Sequence, residues 1–167
     1  MIYSQACSYA IRGLTYLCAV RPEGYILIDE LCEASELPRH FVAKIFQDLV
    51  KQGLLVSAKG RGGGFALARP PRQIRLCDIV DAIDGQSPVK QCVVGMAVCD
   101  DATACPQHDH WKQIRQEITD FLEKTTLADM SRDLARKYRD IGEQMPQPQS
   151  PSKPLHRPRH DVEPEPE

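Results

Sequence analysis

Apolar residues follow a helical spacing at the start of the chain. They recur every three to four positions over the first 20 residues, which predicts an amphipathic helix there. The Arg-Pro-Glu-Gly sequence at positions 21–24 is expected to end this helix. The residues that set the spacing are Ala6, Ala10, Leu14 and Leu17.

Two further helical segments follow, separated by a proline. Residues 29–36 predict a short helix, which Pro38 stops, and residues 39–52 predict a longer one. Gly53 stands at a position where helices commonly end on a glycine. The predicted buried stripe of the longer helix consists of Phe41, Ile45, Phe46 and Leu49.

A glycine-rich sequence then connects two short apolar runs. Residues 54–56 and 65–68 are joined by Lys-Gly-Arg-Gly-Gly-Gly, and two prolines close the second run, a pattern that predicts a β-hairpin. Residues 76–83 predict another short helix. Two short helices followed by a hairpin are the arrangement of a winged helix-turn-helix, which we assign to residues 1–85. The expected fold class is therefore mainly α with a small β-hairpin wing.

The pattern after this domain changes twice. Residues 86–105 have no clear periodicity, whereas residues 106–145 are helical again, and Pro106 suits the first position of a helix of about 18 residues. Thr126 and Asp129 match a capping box at the start of a second helix. The apolar faces consist of Trp111, Ile114, Ile118, Phe121 and Leu122 in the first helix, and of Leu127, Met130, Leu134, Tyr138 and Ile141 in the second.

The C-terminal segment and the overall composition narrow the setting. Residues 146–167 hold seven of the 13 prolines and almost no apolar residues, so this tail is expected to be disordered. No signal peptide is visible, and no segment approaches the ~18 apolar residues of a membrane span. We therefore expect a cytoplasmic protein, in which seven cysteines do not form structural disulfides.

Positive charge is concentrated in the predicted winged helix. The whole chain has a formal net charge of −2, yet residues 39–75 hold eight basic side chains and one acidic side chain, Asp48. Such a patch is typical of a surface that contacts nucleic-acid phosphates. The alternative is a solvated basic face without a partner. The eight basic residues are Arg39, Lys44, Lys51, Lys59, Arg61, Arg69, Arg72 and Arg75.

Two parts of this patch are candidates for DNA contact. The N-terminal turns of a recognition helix present base-reading side chains to the major groove. The tip of a wing can place an arginine in the minor groove, and glycines there let the backbone approach the duplex. The tip lacks the Gly-Lys-Ser/Thr ending of a nucleotide-binding loop. The predicted DNA-contacting residues are Arg39, His40, Ala43, Lys44 and Lys51 in the helix, and Lys59, Arg61, Gly62 and Gly63 in the wing.

Three cysteines and a histidine lie within 17 residues of the chain. Cys92, Cys99, Cys105 and His108 have the spacing C-x6-C-x5-C-x2-H. The predicted helix N-terminus favours a thiolate at Cys105 and places His108 on the same side. These residues are candidate ligands of an iron–sulfur cluster. The open alternatives are structural zinc, which more often uses C-x2-4-C pairs, a metal-free thiol sensor, and incidental cysteines.

The remaining cysteines and the absence of a catalytic pattern restrict the function further. Four cysteines sit singly in helical segments, where each is expected to be a small buried hydrophobe. We can place no Ser-His-Asp or paired-carboxylate arrangement, so an enzyme is not expected. A small iron–sulfur electron carrier or scaffold would share the cysteines but would not need a basic winged helix. The four single cysteines are Cys7, Cys18, Cys32 and Cys77.

The sequence resembles the Rrf family of winged-helix transcription regulators, which includes the iron–sulfur proteins IscR, NsrR and RirA. The resemblance covers residues 1–145. It rests on YAIRGL near the N-terminus, LVKQGLLVSAKGRGGGFALARPP through the wing, LCDIVDAIDG after it, the three-cysteine loop, and TLADM. It is closest to the IscR-like branch.

The resemblance implies a quaternary structure and a cofactor. It implies a homodimer on a palindromic DNA site, in which the helix after the cysteine loop packs against its partner. The apolar stripe of that helix suits this role, although packing within the chain is the alternative. The resemblance also implies that an iron–sulfur cluster is held by Cys92, Cys99 and Cys105.

The fourth ligand differs between branches of the family. IscR-like members use a histidine at the position of His108 and hold a 2Fe–2S cluster. NsrR-like members hold a 4Fe–4S cluster with an acidic residue from the partner's first helix, where this chain has Ser8 beside Cys7. The resemblance therefore favours 2Fe–2S over 4Fe–4S, with a thiolate of a partner's Cys7 as the remaining possibility.

Two features depart from the IscR-like pattern. The first cysteine gap has six residues instead of five, and His40 and Ala43 stand where IscR has a serine and a glutamate. We therefore expect a target sequence different from that of IscR. The expected function is a DNA-binding transcription regulator whose affinity for DNA is controlled by an iron–sulfur cluster.

Overall fold

A computed structural model describes residues 2–85, 92–102, 105–153 and 155. This part of the chain is mostly helical and contains one two-stranded antiparallel hairpin, which confirms the expected fold class. No helix in it is long and apolar enough to cross a membrane. In chain order the elements are α1 (Gln5–Val20), α2 (Ile28–Ser35), α3 (Arg39–Lys51), β1 (Leu55–Ala58), β2 (Gly64–Leu67), a 3₁₀ turn (Pro71–Gln73), α4 (Leu76–Asp84), α5 (His108–Lys124) and α6 (Leu127–Asp140).

The first helix forms the centre of the core. Ala10, Leu14 and Leu17 are fully buried, and α1 packs against α2, α3, α4 and α6. Its N-terminus is closed by Ser4, whose hydroxyl accepts a hydrogen bond from the backbone amide of Cys7 at 3.1 Å. This cap satisfies one of the amides that the first turn of a helix leaves without a partner.

The helix-turn-helix consists of α2 and α3. α3 ends at Lys51, and Gly53 follows in the left-handed conformation, as its position predicts. The buried residues of α3 are spaced at i, i+3, i+4 and i+7, but the stripe begins at Val42. The prediction that Phe41 is buried is wrong, because Phe41 lies about 100° away from Val42 around the helix and its side chain is 56% exposed.

The wing is attached to the body of the domain along one edge. β1 pairs with β2 in a register that runs from Leu55 opposite Leu67 to Ala58 opposite Gly64. On the other side of β2, Ile26 and Phe65 exchange two backbone hydrogen bonds of 2.9 Å. A Cβ atom at Gly64 would lie 2.0 Å from the carbonyl oxygen of Ile26. Position 64 therefore requires a glycine, because the segment before α2 approaches the backbone closely there.

The junction between α5 and α6 is hydrogen-bonded to the start of α4. The amide of Leu76 donates to the carbonyl of Thr125 at 3.0 Å, and the amide of Leu127 donates to the carbonyl of Ile74 at 2.8 Å. The predicted capping box of Thr126 is confirmed. α5 begins at His108 instead of Pro106, and α6 packs along α1. The apolar face of α6 is therefore used largely within the chain.

The segment after α6 follows an extended path over the surface, although its composition predicts disorder from position 146 onward. The carboxylate of Glu30 accepts hydrogen bonds from the amides of Gln149 and Ser150 at 3.1 and 2.7 Å. We refer to residues 146–153 as the strap. The rest of the tail that was predicted to be disordered, residue 154 and residues 156–167, lies outside the described residues.

Candidate DNA-binding surface and cysteine loop

The face of α3 opposite its buried stripe carries most of the predicted base-reading residues. His40, Lys44 and Lys51 are exposed, and Ala43 is half-buried beside them. Gln47 is exposed on the same face. His40, Lys44, Gln47 and Lys51 are spaced at i, i+4, i+7 and i+11, so they lie along one line of the helix surface. Gln47 was not among the predicted contacts, although helical periodicity alone places it between Lys44 and Lys51 on this face.

Arg39 has a partner within the protein. Its guanidinium forms an ion pair with Asp29 of α2, and this carboxylate raises the pKa of Arg39. Both side chains are exposed. An exposed pair of this kind contributes little to stability. The pair therefore leaves Arg39 able to bind a phosphate, in place of Asp29 or together with it.

The tip of the wing divides into exposed side chains and buried backbone. Lys59 and Arg61 are exposed, whereas Gly62 and Gly63 are buried. Gly62 lies beneath the strap, where its carbonyl accepts a hydrogen bond from the amide of Lys153 at 2.9 Å. The predicted approach of DNA to the backbone of these two glycines would therefore require the strap to move.

The three cysteines of the loop lie close to one another. Cys92, Cys99 and Cys105 are half-buried free thiols. The pKa of Cys92 is lowered, first by the backbone amides of Met96 and Val94, and then by hydrogen bonds with the thiols of Cys105 and Cys99. Hydrogen bonds that favour the thiolate also favour metal binding, since the thiolate is the ligand.

His108 lies at the edge of these three thiols. Its side chain is only 7% exposed. Nδ1 lies 3.7 Å from Sγ of Cys99, and Nε2 lies 3.0 Å from Oδ1 of Asp101. Lys112 also binds Asp101, at 2.7 Å, and lowers the pKa of this carboxyl together with His108. A carboxylate on one imidazole nitrogen commonly orients the other nitrogen toward a metal. His108 therefore has the surroundings of a ligand.

A positive charge lies beside the same sulfur. Nη1 of Arg115 donates a hydrogen bond to Sγ of Cys99 at 3.5 Å. Arg115 follows His108 by two helical turns, so helical spacing places them on one face of α5 and could have identified it from the sequence. Asp101 lies in an aperiodic loop, where no such signal exists.

The donor set is compatible with an iron–sulfur cluster. Three thiols and one imidazole are ligands that such clusters use. Among the residues described, no group of three His, Cys, Asp or Glu side chains is arranged to hold a single metal ion.

The single cysteines differ from those of the loop. Cys7, Cys18 and Cys32 are buried, as predicted, and Cys77 is half-buried. Burial, with a further contribution from the charge of Asp84, raises the pKa of Cys7 to about 12. Burial of this kind disfavours the thiolate form that a metal ligand requires.

Comparison with known sequences identifies the family. A family model described as an iron-dependent transcriptional regulator, Rrf2, matches residues 3–133. A helix-turn-helix-type transcriptional regulator of Aquifex aeolicus is 31% identical over 132 residues, which cover 78% of this chain and 91% of the relative. The regulator IscR of Pectobacterium carotovorum is 26% identical over 122 residues, which cover 73% of this chain and 74% of the relative.

Solved structures share the fold. The global cysteine regulator CymR of Bacillus subtilis has a TM-score of 0.67 and 23% identity, with 80% of this chain and 98% of CymR covered. IscR of T. potens has a TM-score of 0.64 and 24% identity, with 82% and 90% covered. Both the matched length and the shared fold agree with the resemblance found in the sequence. The chain belongs to the Rrf2 family and is a transcriptional regulator of the winged-helix type, not an enzyme.

Proposed function

We propose that this regulator binds double-stranded DNA through α3 and the wing, and that an iron–sulfur cluster controls its affinity for DNA. The observation that carries the proposal is the position of His108 at the start of α5. Its imidazole is hydrogen-bonded to Asp101 and lies beside the three loop thiols. The proposed cluster ligands are Cys92, Cys99, Cys105 and His108.

The nature of the donors supports one cluster type. Three thiolates with one imidazole agree with the 2Fe–2S form of the IscR-like branch, and a buried Cys7 gives no support to a thiolate from a partner. When bound, such a cluster would supply a centre that responds to oxidation, nitric oxide or iron supply. We place this function in the cytoplasm, where the thiols remain reduced.

The loop is connected to the DNA-binding unit through α5. This helix begins at His108 in the loop, and the residue that follows its end, Thr125, accepts a hydrogen bond from Leu76 at the start of α4. Only the 3₁₀ turn separates α4 from the wing strand β2. Ordering of the loop would therefore change the position of one rigid helix against the winged helix. A tenfold change in DNA affinity requires only about 1.4 kcal/mol.

Exposed apolar residues on α5 support a homodimer on a palindromic site. Ile114 and Phe121 are 49% and 51% exposed, and they belong to a stripe with the heptad spacing of helices that pack in pairs. A two-fold dimer would present two copies of α3 to two half-sites about one helical turn apart. We propose that α5 of one chain packs against α5 of its partner.

The cluster is tested by anaerobic purification. We expect visible absorption, with iron and acid-labile sulfide in equal amounts, and we expect Cys92→Ser to lose all three. Cys77→Ser is the matched control, since Cys77 is a half-buried cysteine outside the loop, and it should retain them. Protein that contains zinc, or neither metal nor sulfide, would refute the cluster.

The DNA-binding surface is tested by salt dependence. A duplex selected from a random pool by the full chain provides the probe. Arg61→Ala should weaken binding and reduce the slope of log Kobs against log salt by about one. Arg136→Ala, which removes an exposed arginine from α6, should leave the slope unchanged. An unchanged slope for Arg61→Ala would remove the wing tip from the phosphate contacts.

A thiol switch is the second candidate function. The hydrogen bonds among the three loop thiols and the lowered pKa of Cys92 favour attack by this sulfur, and one related structure is the oxidized form of Staphylococcus aureus CymR. Two thiols would form one disulfide and pass two electrons and two protons to hydrogen peroxide, which becomes water. Metal-free protein whose DNA affinity changes with peroxide and recovers with dithiothreitol would establish this function.

A further inference from the structure

The strap connects the end of the helical region to the tip of the wing. It lies beyond residues 3–133, the part of the chain that the family model matches. Its described end, Lys153, hydrogen-bonds to the segment that joins β1 and β2. An element outside the family's shared region therefore contacts the proposed DNA-binding surface.

Polar contacts with α1 and α2 hold the first part of the strap. The hydroxyl of Tyr16 donates to the carbonyl of Pro146 at 2.8 Å. The carboxylate of Glu30 accepts from two consecutive backbone amides, those of Gln149 and Ser150. The guanidinium of Arg21 donates to the carbonyl of Ser150 and to a carbonyl of the segment before α2. These charge-assisted hydrogen bonds fix the path of an otherwise polar segment.

The last part of the strap is fitted to the wing tip. The amide of Lys153 donates to the carbonyl of Gly62, and its ammonium donates to the carbonyl of Lys59, both at 2.9 Å. Gly62 has a φ of +74°, and a Cβ atom there would lie 3.2 Å from the carbonyl oxygen of Pro151. The absence of a side chain at position 62 thus provides the surface on which the strap lies.

This contact adds a third cation to the tip. Lys153 is exposed beside the exposed Lys59 and Arg61, and among the described residues none of the three forms an ion pair with a carboxylate. Unpaired cations on a fixed backbone are the groups that phosphates attract.

We propose that the strap makes Lys153 a phosphate contact of the wing, so that the strap forms part of the DNA-binding surface. The partner is the sugar–phosphate backbone of a duplex, which carries no sequence information at this point. The strap holds the cation in place before binding, which lowers the entropy cost of association. The inference rests on the proposed DNA-binding function and extends it to residues beyond the family's common region.

The experiment measures binding of a labelled duplex by fluorescence anisotropy over a range of salt concentrations. The probe is the duplex selected from a random pool by the wild-type chain, about 25 base pairs long and so long enough for two half-sites one helical turn apart. The protein is the full chain purified anaerobically. Lys153→Gln should weaken binding severalfold and reduce the salt slope by about one, because one phosphate is no longer neutralised. Lys153→Arg should retain the slope, because it keeps the charge.

A matched control and the opposite outcomes complete the test. Lys137→Gln removes an exposed lysine from the last turn of α6, and this variant should bind the duplex as tightly as the wild-type chain does. If the full chain binds and Lys153→Gln has an unchanged slope, the inference is overturned while DNA binding stands. Tighter binding by Lys153→Gln would show instead that the strap shields the wing. No binding by the full chain would overturn both proposals.

Discussion

The Nε2 atom of His108 lies 3.0 Å from a carboxylate oxygen of Asp101, and this contact joins a buried imidazole to an exposed acid. With the proton on Nε2, the lone pair of Nδ1 is directed toward Cys99 and is free to bind a metal. Asp101 is also bound by Lys112, so a side chain of α5 holds the acid in place. The contact thus determines which nitrogen the loop can use.

Asp101→Asn should lower the affinity of the protein for the proposed cluster. The amide oxygen can still accept a hydrogen bond from His108, but it lacks the negative charge of the carboxylate. Removal of such a partner typically lowers metal affinity by about 10–100-fold. The measurement is the rate at which visible absorption disappears in the presence of an iron chelator under anaerobic conditions.

Asp109→Asn is the matched control for this prediction. It removes the same charge from the first turn of α5, next to His108 in the sequence. It should leave the rate of cluster loss nearly unchanged. Equal rates for the two variants would show that the contact between Asp101 and His108 has no influence on the cluster.

Phe46→Ala should be far more destabilising than Phe41→Ala. The ring of Phe46 is fully buried, packs edge-on against Phe65 with centroids 5.4 Å apart, and lies against Gly13 of α1. Emptying such a site costs about 3–5 kcal/mol, whereas the exposed Phe41 should change the free energy of unfolding by about 0.5 kcal/mol or less. Urea denaturation followed by circular dichroism measures both. Similar destabilisation of the two variants would contradict the burial of α3 described above.

The two phenylalanines also show how far sequence periodicity reaches. The spacing of apolar residues predicts α3 and three of its four buried positions. It does not decide between Phe41 and Val42, because both are apolar and adjacent. The phase set by Ile45 and Leu49 selects Val42, and the larger ring remains at the surface beside His40. Side-chain size is thus a poor guide where two neighbouring residues compete for one position on a helix.

Contacts that depend on the path of irregular backbone lie beyond such patterns. The cysteine spacing identifies the candidate ligands, but the position of Asp101 against His108 follows from a loop without periodicity. The strap is a similar case, because composition measures apolar content and the strap is held by hydrogen bonds. Its principal anchors, Glu30 and Arg21, are distant from the strap in the sequence and bind its backbone amides and carbonyls. Because these groups belong to the main chain, the residue types of the strap do not indicate which of them will be bound.

The capping box of α6 should make stability depend on acid pH. Hydrogen bonds from Thr126, and a further one from Arg132, lower the pKa of Asp129. Since the folded pKa is lowered, the stabilisation is fully present above the unfolded value, about 3.9, and disappears as the pH falls through the folded pKa. Thr126→Val removes the hydroxyl and should cost about 1 kcal/mol at neutral pH.

Thermal unfolding from neutral pH down to about pH 3 measures this linkage. The difference in melting temperature between the wild-type chain and Thr126→Val should narrow as the acid is protonated. Thr119→Val is the control, because its hydroxyl donates to a carbonyl within α5 and caps no helix. A constant difference across the pH range would show that the charge of Asp129 does not contribute through the cap.

Phe121→Glu should separate the proposed dimer into single chains that remain folded. Its side chain is half exposed in one chain, so a carboxylate there is solvated and leaves the core intact. In a paired α5 interface the same carboxylate would face apolar surface, and burying an unpaired charge is strongly unfavourable. Light scattering should therefore report the mass of one chain instead of two, with an unchanged circular dichroism spectrum. Ile141→Glu alters a residue that is 65% exposed beyond α6, and it should leave the dimer intact. Dimers of undiminished stability in Phe121→Glu would place the interface on another face of the molecule, because no helix pair along this stripe could accommodate two opposed carboxylates.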